Sequence, residues 1–164
     1  MLGQSAFSGG AFSVEGVTPH AMFPQTIQSR FGEISVDISK AITFSRGLLG
    51  MPDKANFVLT NFNSQKMQQF KLLQSLDELQ LSFITLPLDL DNNIIGVNDI
   101  RSAADDLRIA HSDLVVLLIV SVHRSPDSVK LSVNARAPLF LDVKNKIGTQ
   151  YVFANDEYKV QHYL

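Results

Sequence analysis

Cysteine is absent from this chain of 164 residues. That excludes a disulfide scaffold, a cysteine nucleophile and every thiolate metal site. No apolar run is long enough to cross a bilayer as a helix, which takes about 20 residues. The longest, Leu114–Val122, is interrupted by Ser121. The first residues lack both a basic region and a continuous apolar core, which argues against a signal peptide and makes the cytosol the expected address. An excess of positive charge is missing as well. Fourteen Lys and Arg stand against sixteen Asp and Glu, for a formal charge of −2. This argues against a dedicated binder of nucleic-acid phosphates.

Recognisable catalytic signatures are also lacking. There is no HExxH, P-loop, GxGxxG or GxSxG string. The four histidines, His20, His111, His123 and His162, are scattered, with no spacing that would set two on one helix face. Asp89-Leu90-Asp91-Asn92-Asn93 opens like a calcium loop, but the template needs Gly at its sixth position and Glu at its twelfth. The chain has Ile94 and Ile100 there. Asp105 and Asp106 are adjacent on an expected helix and so point about 100° apart, poor geometry for shared acid–base work. No catalytic residue, metal or cofactor is expected, and the chain reads as a non-enzyme.

What is present is a globular composition, 45% hydrophobic and 18% charged, in a chain of single-domain size. Residues 1–25 differ: they are rich in Gly, Ser, Ala and Phe, and read as a flexible extension. Phe7, Phe12 and Phe23 also admit a docking role for it. Residues 26–164 carry mostly strand signals. Ile34, Val36 and Ile38 alternate after a break at Phe31-Gly32-Glu33. Asn56–Thr60, Phe70–Leu76 and Leu79–Leu88 follow as strands, and Ser64–Phe70 fits either a loop or a helical turn. Val115–Val122 is apolar at nearly every position, as in a strand covered on both faces. Val129–Val143 is long, and Pro138 inside it should mark a bulge, an edge position or a strand break. A turn at Asn145–Gly148 should lead into a returning strand, Gln150–Phe153. One helix is expected over Asp99–Arg108, capped by Asn98, with Ile100, Ala103, Ala104 and Leu107 on its apolar face. The fold class is therefore mostly β, a small antiparallel β-barrel-like domain with one short helix.

Charge is unevenly spread. From Asp77 to Asp113 eight acids face two arginines, a net of −6 that leaves +4 on the rest. Such a stretch is either an ordinary solvated face or a surface that steers a basic partner.

Three strings resemble the flagellar assembly factor FliW family. Arg30-Phe31-Gly32-Glu33-Ile34-Ser35-Val36, with Ile42-Thr43-Phe44 and Gly47-Leu48-Leu49-Gly50-Met51, is similar to the family's FGEIEV…ITFxxGLPGF. Leu73-Gln74-Ser75-Leu76-Asp77, Leu81-Ser82-Phe83-Ile84 and Pro87 resemble LQSLDDPDLAFIVxxP. Val133-Asn134, Ala137-Pro138 and Gln150-Tyr151-Val152 resemble VNLLAPI…GQQVV. Departures are GLLGM for GLPGF, a Tyr158–Leu164 end unlike the family's RHPL-like close, and the 25-residue extension.

The resemblance implies a cytosolic, non-enzymatic regulator that binds flagellin. It also implies binding to CsrA, an RNA-binding translational repressor, whose block on flagellin mRNA would be relieved. No direct binding of nucleic acid or membrane is expected. The alternative is a small β-barrel ligand-binding or adaptor protein unrelated to flagella. Partner contacts are expected at Phe44, Leu48 and Met51, in a glycine-flanked loop that should leave them partly exposed; the competing reading tucks them under the loop as a hydrophobic cluster. Gln74 and Ser75 either meet a partner or hydrogen-bond barrel backbone. Asp105 and Asp106, from the acidic stretch, and Asn134 are expected partner contacts as well, and Asn134 and Pro138 should shape a bulge.

Overall fold

The computed structural model describes residues 24–164. The expected extension lies almost wholly outside these residues. Its boundary moves by one position, because Gln25 already pairs with Val36.

Eleven strands and one α-helix are present among the described residues: β1 Gln25–Ser29, β2 Gly32–Val36, β3 Ile42–Thr43, β4 Asn56–Asn61, β5 Lys71–Ser75, β6 Ser82–Leu88, α1 Val97–Asp106, β7 Leu114–Ser125, β8 Ser128–Val133, β9 Leu139–Asp142, β10 Ile147–Gln150 and β11 His162–Tyr163. Hydrogen-bonded neighbours run β7-β6-β5-β4-β3-β10-β9, and β9 pairs back onto β7. Seven strands therefore close a ring. Every pairing is antiparallel except one: β10 lies parallel to β3 through Ile147 and Thr43. The expected antiparallel barrel thus holds with this single exception.

β7 organises the ring. Its first residues, Leu114–Leu117, pair with β9, and Val120–Ser125 pair with β8 along the same edge. β6 takes the other edge from Val116 to Ile119. Side chains alternate across a strand. Leu117 enters a core with Phe44, Leu48, Phe57, Leu73, Leu139 and Leu141, and Val115 and Ile119 pack against that core. Val116, Leu118 and Val120 enter a second core under α1 with Ile100, Ala103 and Ala104. Two covered faces explain the apolar run from Leu114 to Val120; Ser121 and Val122 beyond it are exposed.

Several expected boundaries shift for local reasons. Helix α1 starts two residues early, with Gly96 rather than Asn98 at the N-cap. The cap comes from far along the chain: the Tyr158 hydroxyl accepts from Gly96 N–H at 3.1 Å and donates to the Asp99 carboxylate. The helix ends in a Schellman pair, Ile109 N–H to Ala104 C=O at 2.9 Å and Arg108 N–H to Asp105 C=O at 3.0 Å. Arg108 occupies the left-handed position at φ 59°.

Pro87 is tolerated inside β6 because β5 stops pairing at Thr85. The Ser64–Phe70 segment contains a 3-10 turn, Gln65–Met67, capped by the Ser64 hydroxyl. The expected strand over 129–143 is two strands. Asn134 Oδ1 accepts from the amides of Arg136 and Ala137, folding residues 134–137 into a turn. The returning strand is Ile147–Gln150, earlier than expected. The turn begins already at Asp142, whose carboxylate accepts from the Asn145 amide, and Lys146 takes φ 58°.

Candidate functional site

The ring is weakest where β3 meets β10. β3 is two residues long, and its chain then turns inward. Phe44 N–H leaves β10 and bonds Ala55 C=O at 2.7 Å, and the Phe44 ring fills the barrel opposite Gly148. A tight loop follows, closed by reciprocal bonds between Leu48 and Met51. Gly47 (φ 62°) and Gly50 (φ 83°) make it possible; at Gly47 a Cβ would lie 2.3 Å from Met51 O.

A cleft of about 580 Å³ opens between this loop, β10 and the end of α1. Leu48, Leu49 and Leu107 supply its apolar wall, Arg46 its cation, and Gly148–Gln150 its floor. Gln150 joins the walls. Its Nε2 donates to Ala137 C=O at 3.1 Å, and its Oε1 accepts from Leu49 N–H at 2.8 Å. The Asn134 turn thus presents Ala137 to Gln150, which holds the loop.

Of the two readings of Phe44 and Leu48, burial as a hydrophobic cluster holds and partial exposure does not: Phe44 is 0% exposed and Leu48 3%, because both are core residues of the barrel. Met51 is half-buried. The exposed apolar side chain of the loop is Leu49, at 60%. Gln74 and Ser75 are buried and bonded to backbone. Gln74 Nε2 donates to the carbonyls of Ser75 and Leu79 at 2.9 Å and of Leu81 at 3.3 Å. Ser75 Oγ accepts from the amides of Asp77 and Glu78. Leu48 borders the cleft directly, Asp105 and Asp106 precede its Leu107, and Asn134 acts through Ala137. Gln74 and Ser75 belong to a different turn.

The acidic stretch is not one uniform face. Asp77 caps the start of β4, accepting from the amides of Ala55 and Asn56 at 2.8 and 2.9 Å. Those bonds, chiefly to Asn56, hold its pKa below the ordinary carboxylate value. On exposed positions of α1, Asp105 bonds His111 Nε2 at 2.8 Å and Asp106 accepts from the Tyr151 hydroxyl at 2.9 Å. The Asp106 bond raises the Tyr151 pKa; for Tyr158, burial raises it first and the bond to Asp99 second. Two tyrosines thus fasten the C-terminal segment to helix carboxylates. Among the described residues, no three His, Asp or Glu side chains are grouped to hold a metal, and no helix is long and apolar enough to cross a membrane.

Sequence reasoning missed Gln150 and Leu49 as the organising pair. Gln150 stood in the Gln150-Tyr151-Val152 string, but only topology brings it to a loop about a hundred residues earlier.

Residues 25–164 match the family model described as FliW protein. The chain belongs to the FliW family. Curated FliW relatives are similar along most of their length. "Flagellar assembly factor FliW" of Clostridium botulinum (strain Alaska E43 / Type E3) is 28% identical over 135 residues, covering 81% of this chain and 92% of that one. The factor of the same name from Geobacter sulfurreducens is 31% identical over 134 residues, covering 82% of each. A crystal structure of the flagellar assembly factor FliW superposes with a TM-score of 0.62 at 23% identity, over 85% of this chain and 96% of the other. That likeness speaks for the FliW fold.

Proposed function

We propose that this protein is a non-enzymatic flagellar assembly factor that binds flagellin in the cytosol and antagonises CsrA, so that flagellin level controls flagellin translation. The observation that carries the reading is the family match, which spans the hairpin, the whole ring and the C-terminal segment. Flagellar assembly factor is the name its curated relatives bear. The geometry supports a protein partner over a small ligand. The barrel interior is filled by Phe44, Phe57, Leu73, Leu117 and Leu139, as in other small barrels, and the seam cleft is one of several clefts at the surface. The exposed carboxylates of α1 beside that cleft suit a basic, RNA-binding partner such as CsrA.

In this reading flagellin and CsrA compete. Binding of one lowers the affinity for the other by the same factor in both directions. The test uses purified full-length chain, flagellin and CsrA. Titration calorimetry should give saturable binding to each partner, flagellin should displace CsrA, and the chain should release CsrA from flagellin leader RNA. Absence of binding to both proteins would refute the proposal. Binding to flagellin alone would remove its CsrA arm.

A further inference from the structure

The seam cleft has an unused strand edge. Thr43 N–H donates to Lys146 C=O at 3.0 Å, the mark of the parallel bridge between Thr43 and Ile147. Even-numbered residues of β10 therefore turn their backbone groups toward β3, and odd-numbered ones toward β9. One step along, Gly148 C=O and Gln150 N–H present the same acceptor–donor pair. β3 does not reach them, because Phe44 has turned into the core. Among the described residues neither Gly148 C=O nor Gln150 N–H has a hydrogen-bond partner outside the strand ladders, and the β10–β3 ladder ends at Ile147. Gly148, a buried residue, and Gln150, a half-buried one, both line the cleft together with Leu49 and Leu107. Arg46, exposed on the rim, has no carboxylate within ion-pair distance among the described residues.

We infer that the cleft takes an extended segment of a partner protein as an added strand on β10, continuing the place that β3 vacates. The segment's backbone pairs with Gly148 C=O and Gln150 N–H. Its apolar side chain packs between Leu49 and Leu107, and a carboxylate on it meets Arg46. Main-chain pairing supplies affinity in such strand addition, and the flanking side chains supply selectivity. This rests on the partner-binding reading above and adds where and in what conformation the partner sits.

The test is amide hydrogen exchange, resolved by residue, on the full-length chain with and without saturating unlabelled flagellin, and likewise with CsrA. Exchange at Gln150 should slow at least about tenfold with a bound partner, as for an amide entering a ladder. Thr149, already facing β9, should not change. Arg46→Glu should weaken that partner's binding about tenfold, and Arg46→Lys should retain most of it. If flagellin or CsrA binds and neither slows Gln150, the inference is overturned and the proposed function stands. Gln150 already protected in the free chain overturns it too, because the edge is then covered by the chain's own residues. Unchanged affinity in Arg46→Glu removes the carboxylate. Failure of both partners to bind ends both proposals.

Discussion

Gly148→Ala puts the closing of the ring to a direct test. The Cβ it adds would lie 2.4, 2.5 and 2.8 Å from Cζ, Cε2 and Cε1 of Phe44. Phe44 has nowhere to go. It is fully buried, and its ring packs edge-on against Phe57 with centroids 5.5 Å apart. Relief must come from moving β10 or distorting a rotamer, and overpacking of this kind costs about 1–3 kcal/mol. Three ring atoms in conflict at once put the substitution near the top of that range, about 2–3 kcal/mol. In a domain of this size each kcal/mol lowers Tm by about 2–4 °C, so the fall should be roughly 4–12 °C. Urea unfolding should show a lower midpoint at unchanged slope, because the same surface is exposed on unfolding. Phe44→Leu makes room at the same spot and should itself cost part of the ~3–5 kcal/mol of a Phe→Ala change. Together the two substitutions should destabilise by less than their sum, with a coupling of about 1 kcal/mol or more. A Gly148→Ala protein as stable as the wild type, or strict additivity in the double variant, would refute the packing argument.

Further predictions concern the neighbouring elements. Arg108→Gly should stabilise the protein by about 0.5–1 kcal/mol in urea unfolding, because glycine meets no Cβ penalty at φ 59°. Gln150→Ala should destabilise by about 1–2 kcal/mol through two lost hydrogen bonds, and should speed amide exchange at Leu49. Tyr151 and Tyr158 both have raised pKa values. Their stabilisation should be complete below the unfolded tyrosine pKa near 10 and lost as pH rises through the folded values, and Tyr151→Phe with Tyr158→Phe should flatten this alkaline slope in thermal melts. Asp105→Lys with Asp106→Asn reverses one charge and neutralises another on exposed helix positions. Association with CsrA at low salt should slow several-fold and lose much of its salt dependence, and an unchanged on-rate in a folded variant would discard electrostatic steering by α1.

The strands were legible in the sequence where one physical cause dominated. The apolar residues of Val115–Val122 announced a strand covered on both faces, which holds as far as Val120 while Ser121 and Val122 are exposed, and Ile100, Ala103 and Ala104 announced the buried face of α1. Boundaries failed where a distant group settled them. Asn98 has the side chain of an N-cap, yet the cap is supplied by Tyr158, some sixty residues later. The loop residues were left open for a similar reason. Glycines flanking Phe44 and Leu48 correctly indicated a turn, and both exposure and a cluster under the loop were compatible with it; the fold takes the cluster and leaves Leu49 outside. Gln74 and Ser75 were legible as residues that bond backbone, the reading their buried hydrogen bonds support. The cleft itself had no linear signature, since it is assembled from three segments that meet only when the ring closes.

Ring closure also sets an order of events. Strands β3 to β7 follow one another in sequence and can zip up as successive hairpins, with α1 packed across the last pair. The bridge from Thr43 to Ile147 joins positions about a hundred residues apart. Forming it first would cost on the order of 4 kcal/mol in loop-closure entropy, more than one short bridge returns. The seam should therefore be the last part of the barrel to form and, with so little pairing to hold it, the first to open. During synthesis the meander must wait, its β3 edge bare, until β10 has left the ribosome. In the mature protein, brief openings at the same place would bare the edges of β3 and β10 and the ring of Phe44 together. A partner seated there would act as a latch on the fold as well as a ligand.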